Sequence, residues 1–277
     1  MKLRTTLLAT GLLALAGCKL ELPASGNESV SMGSLSAEMI EFQHQDGPKC
    51  PGSPDVTLDN AQCVSVKVSY PKILNDSVNP KAVDAINQFI QSQVLEFSDD
   101  AGKQPTTPEE LAAMFIADYK KNPSPIGNWL LERNAELVFG KGNLVTLNVT
   151  ETSYIGGAHP SSGQHYFVLS TDTGEQLTLA DLLATGYEGA LNTAGESAFR
   201  KARNIAPTAN LEEEGFSFEN NAFHINTNFG VMADGLTFTF NPYEIAANAV
   251  GPTEFTVPYR DIRNLIAADS PLAAVIQ

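Results

Sequence analysis

In QCVSVKVSYPKI, residues 62–73, Val64, Val66 and Val68 alternate with Ser65, Lys67 and Ser69. That alternation gives an extended strand one apolar face. SAEMIEFQ, residues 36–43, predicts a partner strand upstream. The period then changes. In NPKAVDAINQFIQSQV (79–94), Val83, Ile86, Phe89 and Ile90 recur at helical spacing, with Asn79 placed as N-cap and Pro80 in the first turn. TPEELAAMFIADYKKN (107–122) predicts a second helix. Its start carries a Thr107/Glu110 capping box and Pro108, and Leu111, Phe115 and Tyr119 run along one side.

The pattern returns to β over 135–155, with a hairpin turn at 140–143, and again over QHYFVLST (164–171), closed by DTGE. TLADLL (178–183) and GALNTAGESAFRKARN (189–204) predict helices. AFHINTNFGV (222–231) and LTFTF (236–240) predict strands joined through MADG. NPYEIAANAVG (241–251) looks like a helix capped by Asn241 and stopped by Gly251. EFTVPY predicts a last strand and RDIRNLIA a last helix. Strands and helices come in clusters without strict alternation. The expected class is α+β, a largely antiparallel sheet packed with several short helices.

The N-terminus has its own logic. Lys2 and Arg4 precede a twelve-residue apolar run, too short for a membrane span, and then LAGC at 15–18. LAGC resembles a bacterial lipobox, which implies cleavage before Cys18 and acylation of that cysteine. Residues 1–17 are then a lipoprotein signal peptide, and 18–34, small and polar, a flexible lipidated tether. Lys19, where an aspartate would mark inner-membrane retention, points to the periplasmic face of the outer membrane in a Gram-negative envelope. With Cys18 assigned to lipid, Cys50 and Cys63 remain as an even pair in an oxidising compartment. They are expected to form a disulfide.

The formal charge is −15, and removal of Lys2 and Arg4 with the leader makes it −17. A field of that sign repels nucleic acid and speeds encounter with cationic partners. No Walker loop, G-x-S-x-G, H-E-x-x-H or dinucleotide fingerprint is present. No cofactor and no catalytic residue is assigned. His159 and His165 flank a bend and lack a defined third ligand, so no metal site is assigned either. The bend is ETSYIGGAHPSSGQHYF, residues 151–167. Gly156 and Gly157 open backbone conformations closed to other residues, and Pro160 keeps His159 out of helix. Tyr154, Gly156, Gly157, His159, Pro160, His165 and Tyr243 are the candidate binding residues. Tyr243 has a competing reading as core, tucked under the helix that Asn241 would cap.

The YIGGAH segment (154–159) and the closing LTFTFNPYEIAANAVGPTEFTVPYRDI (236–262) resemble the RsiV-like family of bacterial envelope domains. VSVKVSYPKI and INQFI fit its first half. That family includes the extracellular part of RsiV-type anti-sigma factors and the non-catalytic N-terminal region of PdaC-type deacetylases. The resemblance implies a PdaC-like α+β region over 35–150 and an RsiV-like α+β region over 151–277. It also implies a non-enzymatic binding module whose partner is lysozyme or another cationic envelope protein, or else peptidoglycan. The alternative from a different class is a hydrolase or metal-dependent enzyme on cell-wall glycan, built around His159 and His165.

Overall fold

The computed structural model describes residues 29–33, 35–50, 62–75, 79–122 and 127–276. Cys18 and the leader lie outside the described residues. A seven-stranded sheet runs in chain order: β1 (Ser29–Met32), β2 (Leu35–Lys49), β3 (Gln62–Ile73), β4 (Asn128–Lys141), β5 (Leu144–Tyr154), β6 (Ser161–Ser170) and β7 (Gln176–Leu177). Every neighbouring pair is antiparallel except β3 and β4. Parallel neighbours need a crossover. Here α1 (Pro80–Val94) and α2 (Pro108–Lys121) supply it.

The valines of β3 explain the first core. Val64, Val66 and Val68 pack with Leu131 and Ala135 of β4, Leu147 and Val149 of β5, and the buried stripes of α1 and α2. Asn79 caps α1 by accepting from Lys81 N. Thr107 caps α2, but the Glu110 carboxylate reaches one residue further back than a capping box requires, accepting from Thr106 N. The expected disulfide is present: Cys50 and Cys63 join the end of β2 to the start of β3, with Cα atoms 4.8 Å apart. A loop of that size contributes roughly 3 kcal/mol.

The reverse face of β5 and β6 carries Leu144 and Val168, which belong to a second core. Facing them is a three-stranded sheet, β8 (Phe229–Val231), β9 (Gly235–Phe240) and β10 (Thr253–Pro258), in the order β10-β9-β8. Short α3 (Leu179–Leu182) leads into α4 (Glu188–Arg203), whose fully buried Phe199 meets Phe216, Phe223, Phe240 and Phe255. The chain closes through α5 (Tyr259–Ile262) and α6 (Pro271–Val275).

Five expectations need correction. Residues 29–32, placed in the tether, form edge strand β1, an extended pairing hidden by polar composition. Residues 222–228 are not strand; β8 begins at Phe229 because Asn226 and Asn228 turn their amides to other segments. The helix expected over 260–267 ends at Ile262 and passes into a 3-10 turn, and a further short helix, α6, follows it. Residues 241–251 are not a helix but a chain of turns ending in a 3-10 turn at Asn248–Val250. The division expected after residue 150 falls inside β5, and β6 and β7 continue the same sheet.

Candidate functional site

β5 ends at Tyr154, and the chain must reverse before β6 starts at Ser161. Gly156 and Gly157 provide that reversal with φ of 90° and 136°, conformations that side-chain-bearing residues rarely adopt. The Tyr154 hydroxyl donates to Gly157 O at 3.0 Å and closes the loop on itself. His159 Nδ1 lies 3.0 Å from Pro160 O. With the proton on Nδ1, Nε2 is an acceptor, and the Tyr243 hydroxyl sits 3.1 Å from it. The two rings are nearly parallel, with centroids 6.3 Å apart.

Tyr243 arrives from the opposite sheet. It follows β9 in the turn that was expected to be helical. Asn241 does not cap that segment. Its Oδ1 accepts from Gln164 N at 2.8 Å and its Nδ2 donates to Gln164 O at 3.0 Å. Asn228 does the same one step along, accepting from Tyr166 N and donating to Gln164 O, both at 2.8 Å. The two side chains stand in for a missing strand on the open edge of β6. Glu244 completes the turn by accepting from Asn241 N and from Asn226 Nδ2. Tyr243 is thereby held at φ 68°, a left-handed conformation unusual for an aromatic residue.

Tyr243 is not core. It is 66% exposed, and Ile155, beside the glycine pair, is 58% exposed. These are the only exposed large hydrophobic side chains among the described residues. Ile155 belongs to the 155–160 loop, whose His159 meets Tyr243 of the 241–246 turn and makes one corner of the two segments. The carboxylate of Glu254 lies between the two sheets, where the Tyr166 hydroxyl donates to it at 2.8 Å. Burial, and then that carboxylate, hold the Tyr166 phenol well above the ordinary tyrosine range.

His165 is not part of this corner. It points to the helix-covered face of β6, stacks on Phe167, and lines a cleft with Glu151 and Arg133 that reaches Asn241 at its edge. His159 and His165 thus take different aromatic partners. Among the described residues no group of three histidine, cysteine or acidic side chains is placed to hold a metal ion. Among the same residues, no helix is long and apolar enough to cross a membrane. Sequence reasoning grouped Tyr154, Gly156, Gly157, His159, Pro160, His165 and Tyr243, and the structure brings all but His165 together. It missed Ile155, for which the only signal was a large apolar residue directly before two glycines. It also missed Asn228, whose partner lies more than sixty residues away.

The class this architecture defines is an α+β domain of two facing sheets with an aromatic corner at their junction. Residues 58–162 match the family model described as Deacetylase PdaC, and residues 180–260 match the one described as Protein of unknown function (DUF3298). The chain thus carries a PdaC-like segment followed by a DUF3298 segment, and the resemblance read from the PdaC-type first half is borne out. Two solved structures share the fold. A DUF3298 family member from Bacteroides fragilis has a TM-score of 0.68 at 17% identity, over 88% of this chain and 98% of its own. A DUF3298 family protein from Pseudomonas aeruginosa has a TM-score of 0.62 at 19% identity, over 84% and 94%. No curated protein matches the sequence. Both neighbours extend across the PdaC-like and the DUF3298 segments, so the two segments are parts of one fold.

Proposed function

We propose that this chain is a non-enzymatic envelope lipoprotein, anchored through Cys18, that captures a cationic envelope protein on the Ile155–His159–Tyr243 corner. Tyr243 is the observation that carries the reading. A buried residue gains packing in return for backbone strain, whereas Tyr243 is strained and exposed together. Strain held at an exposed aromatic is the pattern of a binding site. Exposed aromatics concentrate interface energy. Glu244 and Glu254 lie near the corner, on a chain of formal charge −15, and complement a basic partner. The family resemblance makes lysozyme the leading candidate.

The test is calorimetry on the Cys18→Ser form, which should also leave the membrane fraction, titrated with lysozyme and separately with muropeptides. Lysozyme binding is expected at low salt. A Tyr154→Ala/His159→Ala double variant should weaken it about tenfold, mainly through faster dissociation. Absence of heat with lysozyme at low ionic strength, where steering is strongest, rejects the lysozyme reading.

A further inference from the structure

Gly163 of β6 pairs directly with Glu151 of β5, which pairs directly with Arg133 of β4. The three form one row on the helix-covered face of the large sheet. α1 ends at that row: its last carbonyl, Val94 O, accepts from Arg133 Nη1 at 3.1 Å. Beyond the helix end the row is uncovered, and a cleft of about 400 Å³ opens there. Gln93 and Glu96 form its rim, and His165 and Phe167 one wall. We propose that this cleft is a subsite for a pyranose ring, of a neutral or amino sugar.

The floor supplies the polar recognition. Arg133 is 8% exposed, and its Nε is held by Glu151 Oε2 in a short ion pair of 2.6 Å. The Arg133 hydrogen bonds within the described residues use Nε and Nη1, which leaves Nη2 as a donor and Glu151 Oε1 as an acceptor for a ligand. A sugar hydroxyl both donates and accepts, so adjacent hydroxyls match that arrangement. The wall supplies a flat surface. Phe167 is packed between His165, stacked on it with centroids 6.4 Å apart, and Phe89, so the exposed His165 ring is the face a sugar C–H surface would meet. Charge narrows the class. Arg133 is set against Glu96 and Glu151, so a phosphate or carboxylate would meet net repulsion while an amine would not. The size lies within the range of small-molecule sites.

Gly163 carries the argument that the space is specific. Its backbone is outside the left-handed region, so the fold does not demand glycine. A methyl group at Gly163 would make only ordinary contacts, with His165 Nε2 at 3.7 Å and Asn241 Oδ1 at 4.0 Å. Glycine weakens a strand interior. What its absent side chain provides here is an open floor.

The experiment is an amide NMR titration of the full mature chain. The probes are a β-1,4-linked N-acetylglucosamine trimer, its de-acetylated counterpart and a galacturonic acid trimer. Saturable shifts from either of the first two are expected at Glu151, Gly163, His165 and the end of α1, with the acidic trimer at least tenfold weaker. Gly163→Val fills the floor with a residue suited to a strand. It should keep the melting temperature and lower sugar affinity at least tenfold, and His165→Ala should lower it severalfold. His165→Ala removes atoms without approaching the Asn241 clip and leaves protein capture at the Tyr243 corner unchanged, so the two readings fail separately. The proposal is overturned by no saturable shift with any probe, by tighter binding of the acidic trimer, or by unaltered affinity in Gly163→Val.

Discussion

Tyr243 stacks on His159 at φ 68° with two thirds of its surface in solvent. A left-handed conformation costs a residue with a β-carbon roughly 1–2 kcal/mol. The exposed stacking contact returns little of that. Tyr243→Gly removes the strain together with the ring, so the variant should be as stable as the parent or about 1 kcal/mol more stable. Its affinity for a captured protein should fall at least tenfold. Tyr243→Ala keeps the strain and loses the ring, and should be the less stable of the two. Thermal melts beside calorimetry check this. A Tyr243→Gly form that loses stability while binding normally would assign the residue to the fold instead.

Much of the element pattern was legible because local periodicity and local caps decide it. The valine alternation of β3, the Asn79-Pro80 start of α1 and the TLADLL turn of helix all formed where expected. Tyr243 joined the GGAH loop residues as an aromatic candidate beside a competing reading as core, and no spacing in the sequence linked the two segments. Residues 241–251 show why the rest was not. Asn followed by Pro and then Glu has every local mark of a helix start, yet Asn241 spends both ends of its amide on Gln164, 77 residues away. A cap committed to another strand leaves its own helix uncapped, and nothing in the local sequence records that commitment. The same fact predicts a cost. Asn241→Ala should destabilise the protein by about 1–3 kcal/mol, since it strands the Gln164 amide on the edge of β6 while the Gln164 carbonyl keeps only Asn228. Hydrogen exchange at Gln164 should accelerate in this variant, while amides of β3 keep their protection. Unchanged exchange at Gln164 would mean that the clip holds nothing.

Over the whole molecule, charge sets fold and capture against each other. Lys67, Lys72, Lys103, Lys120, Lys121, Arg133, Arg200 and Arg260 each already lie within ion-pair distance of a carboxylate. Most of these pairs are exposed and stabilise little. The formal charge of −15 therefore stands as carboxylates in excess over the cations available to pair with them. Such an excess repels itself in the compact state and attracts a basic partner from a distance. Salt weakens both effects, because the Debye length falls from about 30 Å at 0.01 M to about 8 Å at 0.15 M. The two observables should then move in opposite directions. Between 10 and roughly 150 mM sodium chloride, the melting temperature should rise by about 2 °C, as roughly 0.5–1 kcal/mol of repulsion is screened. Over the same range the affinity for a cationic protein should fall about tenfold, chiefly through a slower on-rate. A melting temperature that falls with salt would mean that the exposed ion pairs outweigh the excess. An affinity indifferent to salt would leave the corner's aromatic contacts as the whole of the attraction.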